Sequence, residues 1–352
     1  MMKSFSYFLA TLILSTTAIP LLVAAIAPNL TPYKAEFPGE RTFENPGGPI
    51  PATVASFKPF QNRLGLSWDK DFLYIETNGL PDHDMMRGIT AWQQQVPLPH
   101  PYVGSNRFAL PLNPTVLEEP EELTLMGPIA IAVNGIPIFH ALTQSGKDAY
   151  LGGELDDWGG HCGRADDYHY HIAPAHLEEI VGPGNPVAFG LDGHPVYLAD
   201  PATDKALDEC HGYFDDEGNY RYVGTLENPY VMANFRGAVD LANRPRAHGV
   251  RPHLQPLRGA EITGFSGSLA EGYSLKYAIG THKYTINYRI TQTGADFQFV
   301  DTNGETTEES YQRKADRGGG GKGKGGEKGR PKGEKGKGGK DGKGGKGGKK
   351  GP

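Results

Sequence analysis

The chain has 352 residues, 38% of them hydrophobic, with two cysteines and a formal charge of −6, enough for one large globular domain or one domain with a small companion. The charge is divided: residues 318–352 carry 11 Lys and 1 Arg against 3 acids, a net of +9 that leaves −15 on the rest. A body this acidic offers no phosphate-tracking groove, which excludes specific nucleic-acid recognition by it.

Met1-Met2-Lys3 precedes an apolar run from Phe5 to Ile26 that ends in the small residues Ala24-Ala25-Ile26-Ala27. A basic start, an apolar centre and small residues mark a secretory signal peptide, assigned to residues 1–25 by cleavage after Ala25. An uncleaved anchor is the competing reading, since the run approaches the roughly 20 residues that span a bilayer. Both place the rest outside the cytoplasm, as a secreted, periplasmic or cell-surface protein. No later apolar run is long enough to cross, so no transmembrane span is expected after signal removal.

Residues 26–60 are rich in Pro and Gly and read as an extended lead-in. A strand is expected over 71–77. It is followed by Asp82-His83-Asp84, where two carboxylates could raise the His83 pKa or join it in holding a cation, unless the stretch is only a polar turn. Recurrent prolines over 91–120 exclude long helices. Residues 128–140 form an apolar hairpin around Asn134-Gly135, and residues 185–200 a second around Asp192-Gly193. A short helix with Pro174 in its first turn is expected over 174–181. Residues 257–303 hold turn-punctuated strands, in which Thr285, Asn287 and Arg289 alternate with Ile286, Tyr288 and Ile290. The fold class is therefore mainly β. It comprises an antiparallel sheet or sandwich-like domain over 61–256 with a few short helices, a small β appendage over 257–303, and a disordered basic tail over 304–352.

Chemistry concentrates at Tyr168-His169-Tyr170-His171. Alternation puts both imidazoles on one face of a strand and both phenols on the other. A glycine-flanked loop carries His161 upstream, so His161, His169 and His171 can converge on a divalent metal such as zinc or copper. Asp166 and Asp167 can orient a ring from behind, with Asp192, Tyr168 and Tyr170 as further supports if the fold brings them near. The competing reading is a buried hydrogen-bonded cluster of the same side chains. Cys162 and Cys210, in an oxidising compartment, are expected to form a disulfide. The segment also has a weak internal echo, with Cys210-His211-Gly212 leading to Tyr220-Arg221-Tyr222-Val223. There Arg221 and Val223 replace the two histidines.

Glycine recurs at every third position from Gly333 to Gly351, a collagen-like period without the prolines that pre-form such a helix. The tail is instead read as disordered and cationic, a means of attachment to an anionic surface or polysaccharide.

Several ordered motifs resemble the YHYH-domain proteins: residues 133–139 (Val-Asn-Gly-Ile-Pro-Ile-Phe), 160–174 (Gly-His-Cys-Gly-Arg-Ala-Asp-Asp-Tyr-His-Tyr-His-Ile-Ala-Pro), 189–197, 207–212 and 228–237. The resemblance spans about residues 65–255. It implies a mostly secreted bacterial type with no established reaction, and a shared pattern that includes His161, His169, His171 and the Asp192-Gly193 turn. His140 and His194 stand where that pattern has other residues, and Tyr220-Arg221-Tyr222-Val223 departs from its second Tyr-His-Tyr-His. The functional expectation is an exported metal-binding module. Its alternative is a metal-dependent extracellular enzyme, either a hydrolase or a copper oxidase.

Overall fold

A computed structural model describes residues 43–200 and 205–313; the signal-peptide reading (1–25) and the basic run from residue 318 lie outside them. Strands β1 (Phe43–Glu44), β2 (Gly65–Trp68), β3 (Phe72–Glu76) and β4 (Phe108–Pro111) make a four-stranded sheet in chain order. Helix α1 (Ala52–Phe57) interrupts the stretch read as an extended lead-in, because Val54 and Phe57 share a face that the core buries. Strand β5 (Val116–Glu122) pairs with a strand much later in the chain.

The central sheet has eight strands. They are β6 (Pro128–Ala132), β7 (Pro137–Phe139), β8 (Gly160–Cys162), β9 (Tyr168–Tyr170), β10 (Ala188–Gly190), β11 (Pro195–Leu198), β12 (Gly212–Phe214) and β13 (Tyr220–Gly224). The helical turn expected after β9 is present as Ala175–Leu177 followed by α2 (Glu178–Val181). Both apolar hairpins form where expected, turning at Gly135 (φ +83°) and Gly193 (φ +89°). A Cβ at Gly135 would stand 2.3 Å from Leu64, and one at Gly193 2.5 Å from the Pro111 carbonyl. Strand β6 is buried at every position, which accounts for its unbroken apolar run.

The spatial order β12-β13-β11-β10-β6-β7-β9-β8 reads the same way from either end. Hairpins β6-β7 and β10-β11 meet antiparallel at the centre, with Ala132 opposite Ala188. Hairpins β8-β9 and β12-β13 then flank them, each joined by a parallel pairing, Ile138 to Tyr170 and Val196 to Tyr222. The echo is thus a duplicated four-strand unit, but in a different register from the one the Cys-His order suggests. Gly160 faces Tyr170 as Gly212 faces Tyr222, and His161 faces His169 as Tyr213 faces Arg221. A shared aspartate fixes this equivalence. Asp156 accepts from Trp158 N, Gly160 N and Tyr168 Oη, while Asp208 accepts from Cys210 N, Gly212 N and Tyr220 Oη. Cys210 is therefore the counterpart of Trp158, not of Cys162.

That register overturns the expected disulfide. Cys162 and Cys210 are buried free thiols at opposite edges of the sheet. Strands step about 4.8 Å apart, and bridging needs Cα atoms within about 7 Å. Burial raises the Cys162 thiol well above its ordinary value and Cys210 to about 11, which leaves both unreactive. A thiol reagent is accordingly expected to label neither cysteine in the native protein and both after denaturation, with or without prior reduction. Labelling that requires reduction would restore the disulfide.

Strand β14 (Asn234–Gly237) completes the pair with β5. A five-stranded antiparallel meander follows: β15 (Ala260–Ser268), β16 (Gly272–Ile279), β17 (His282–Ile290), β18 (Gly294–Val300) and β19 (Thr306–Gln312). Its last strand lies within residues read as tail, because Thr-Thr-Glu-Glu-Ser-Tyr-Gln shows no apolar alternation and only Tyr311 is partly buried. Cross-strand stacking of Tyr273 on Tyr288 (5.2 Å) and Tyr288 on Phe297 (5.4 Å) builds the inner face. These rings join the same buried cluster as the central sheet. Tyr288 Oη also donates to the Pro97 carbonyl (2.8 Å), and the Arg251 guanidinium pairs with Asp166 in the β8-β9 turn.

Candidate metal centre

Pairing of His161 opposite His169 puts both rings on one face of the edge hairpin, and His171, two residues on, joins them. The backs of the rings are held by main chain. His169 Nδ1 donates to the Asp167 carbonyl (2.9 Å) and His171 Nδ1 to the His140 carbonyl (2.6 Å). His161 Nδ1 turns toward Glu154, whose carboxylate lies 3.9 Å away. Phe139 of β7 stacks on His169 with centroids 3.8 Å apart.

This anchoring fixes the tautomers. A carbonyl only accepts, so Nδ1 of His169 and of His171 carries the proton and those two neutral rings present lone pairs at Nε2. Those lone pairs face one another at 3.1 Å, and Nε2 of His161 lies 3.0 Å from that of His171. All three ligand nitrogens fall within 4.8 Å of each other. No proton is left to sit between His169 and His171. Protonating a second nitrogen is opposed by burial and by the neighbouring rings, which push His171 down to about 3 and hold His161 well below its ordinary value. A cation is the partner this arrangement lacks. Tetrahedral zinc with bonds of about 2.0–2.1 Å sets its nitrogens roughly 3.3 Å apart, so the two close pairs would open slightly and the third, within 4.8 Å, would draw in.

Asp167 supports the ring of His169, its carboxylate 3.4 Å from Nδ1. Burial acts to raise this acid, yet its hydrogen bond to His169 holds it below the usual range. The remaining expected supports lie elsewhere. Asp166 turns away to Arg251, and Asp192 belongs to the second unit, where it accepts from Tyr222 Oη. Tyr168 and Tyr170 point from the opposite face of β9. Tyr168 donates to Asp156 (2.8 Å), and Tyr170 to His83 Nε2 (2.7 Å) while accepting from Asn134. His83 is thereby committed on that opposite face. His140 contributes its carbonyl rather than its ring, and His194 packs near Gly237 and Tyr220.

Two contributors carried no signal in the sequence. Phe139 reads only as the end of an apolar strand, and Glu154 sits in a Gly-rich turn. Glu154 is half-buried, and that burial raises its carboxyl against an opposing hydrogen bond from Gln93. Glu154 and the three histidines line one cleft of about 480 Å³, in which His161 is partly exposed and His169 and His171 are buried.

The second unit shows the same scaffold without the chelating nitrogens. Tyr197 takes the place of Phe139, Tyr213 of His161, Arg221 of His169 and Val223 of His171. There the Arg221 guanidinium lies 4.5 Å over the Tyr197 ring and pairs with Asp215 at 2.5 Å. One unit offers lone pairs to a cation; the other carries a cation of its own.

Among known proteins, residues 107–205 match the family model described as YHYH protein, a span that includes β6 to β11 and all three histidines. No curated protein and no solved structure matches the chain.

Proposed function

We propose that this chain, which carries a YHYH domain, binds one divalent transition-metal ion, zinc or copper, through Nε2 of His161, His169 and His171. The supporting observation is that His169 and His171, anchored through Nδ1, direct lone pairs at a common point that Nε2 of His161 also approaches. The buried-cluster alternative needs a donor between His169 and His171, and their tautomers supply none. Elemental analysis of the full chain dialysed against each metal, beside a His169→Ala/His171→Ala variant, tests the reading: one ion per chain in the first and none in the second.

A metal-dependent enzyme is the second reading, favoured by the cleft in front of the trio. Three protein ligands leave a coordination position for water. No activity is assigned.

Export and surface attachment are proposed from residues outside the described ones. No helix among the described residues is long and apolar enough to cross a membrane. The N-terminal run supports export, and the tail's net charge of +9 supports attachment to anionic polysaccharide. The full chain is expected to elute from a heparin column at higher salt than a chain lacking residues 318–352. Equal elution would remove the tail from the account.

A further inference from the structure

The cleft in front of the three imidazoles carries a second feature, in its guanidinium groups. Arg244 lines it half-buried, and Arg246 and Arg164 line it exposed. Elsewhere in the described residues, Arg63, Arg221 and Arg251 are neutralised by Asp82, Asp215 and Asp166 at 2.5–2.6 Å, while the half-buried Arg107 and Arg236 lie over the rings of Tyr74 and Phe214 and Arg289 donates to the Glu271 carbonyl. None of the three cleft arginines has a carboxylate within ion-pair distance among the described residues. Arg244 reaches only the Thr124 hydroxyl, at 3.4 Å. Its charged form is disfavoured first by burial and then by the neighbouring charge of Arg246. Half-buried cations that repel each other are costly unless an anion completes them.

The acids lining the cleft do not fill that role. Asp167 is engaged by Ala165 N and His169, and Glu154 faces His161 and Gln93. An ion held by three neutral imidazoles would keep its full positive charge and add to the same field. All of this sits in a chain that carries −15 outside its tail. The positive charge is therefore local to the cleft, and a volume of about 480 Å³ suits a small molecule rather than a polymer.

The geometry points to a small oxyanionic ligand, a phosphate ester or a carboxylate, whose charged group is held by Arg244 and Arg246, with Arg164 at the rim, in front of His161, His169 and His171. Guanidinium forks match both anions, donating to two oxygens side by side. This deepens the metal reading and rests on it for the side of the ligand that faces the ion.

Cobalt(II) serves as the probe, because its visible bands respond when an anion enters an open coordination position. The full chain is loaded with cobalt, its stoichiometry measured, and inorganic phosphate and acetate are titrated separately. An Arg244→Gln/Arg246→Gln variant is treated identically, with Arg258→Gln as a remote control. The expected result is one cobalt per chain in all three proteins and phosphate or acetate binding at least about tenfold weaker in the double variant alone. Phosphate binding the tighter assigns a phosphate ester, and acetate the tighter a carboxylate. Equal anion affinity in all three proteins with full cobalt loading overturns the oxyanion proposal and spares the metal. Failure to load cobalt overturns the metal reading instead. Calorimetric titration of phosphate and acetate into the metal-free proteins then decides the arginines, where no wild-type heat, or heat unchanged in the double variant, sinks them too.

Discussion

The His169→Ala/His171→Ala variant is expected to lose metal binding by more than about a hundredfold while keeping its fold. Removing an outer-shell partner of a ligand already costs about 10–100-fold, and this variant removes two ligands outright. Folding should survive, because the anchoring of β9 lies on its other face, where Tyr168 and Tyr170 hydrogen-bond Asp156, His83 and Asn134. The substitution costs the stack of His169 on Phe139 but also removes the opposition of lone pairs at 3.1 Å. A saturating ion should stabilise the wild type by about 2.7 kcal/mol at a hundred times its dissociation constant, and the variant not at all. Acid acts in the opposite direction on the metal-free protein. His171 and His176 are pushed down to about 3 and about 4 by burial, below their unfolded values. Their contribution to stability is present above about 6.5 and is lost as pH falls through the folded values. Thermal melts with and without metal, across that range, read both effects. Identical ion content in wild type and variant would end the metal account, and a variant that unfolds when even the wild type holds no ion would restore the buried cluster.

Period-two alternation made the chelating pair legible, since one face of β9 has to carry both histidines whatever the register of its neighbours. The hairpins were legible for a similar local reason, with Asn134-Gly135 and Asp192-Gly193 supplying the positive φ each turn requires. Contributors to the site that depend on non-adjacent strands were not. Phe139 meets His169 only because β7 and β9 run parallel, and the His140 carbonyl reaches His171 through the same pairing. The false disulfide came from counting two cysteines in an oxidising compartment, when the strand order sets them at opposite edges of the sheet; the echo was misaligned by taking Cys-His against His-Cys in order, when the shared aspartate and the strand register align Gly212 with Gly160. Strand β19 was invisible because an edge strand with mostly exposed side chains has no apolar pattern to show.

Asp166 lies between these levels, and Asp166→Asn is expected to destabilise the protein by about 3–5 kcal/mol. The Arg251–Asp166 pair is 3% and 4% exposed, with Nη2 to Oδ1 at 2.5 Å and Nε to Oδ2 at 3.0 Å. Arg251 also donates to the Gln94 carbonyl and lies 4.7 Å over the Phe297 ring. The pair therefore ties the β8-β9 turn to the C-terminal meander. Asparagine tolerates the positive φ of this position (+63°) and retains an oxygen for Val96 N, so the loss reads the unpaired guanidinium rather than the backbone. Burying an unpaired charge is what costs most. An Asp166→Asn/Arg251→Met double variant should consequently regain most of the loss, as apolar replacement of a buried pair often does. The exposed Arg87–Asp157 pair, 55% and 48% accessible, serves as contrast, with little loss expected on its removal. Urea denaturation compares the four proteins. If Asp166→Asn costs no more than breaking the exposed pair, the turn is not held by charge. If it costs as much as expected, metal affinity should fall with it, because the same turn sets the distance between His161 and His169, and added metal should recover part of the lost stability by holding the two strands from the other end.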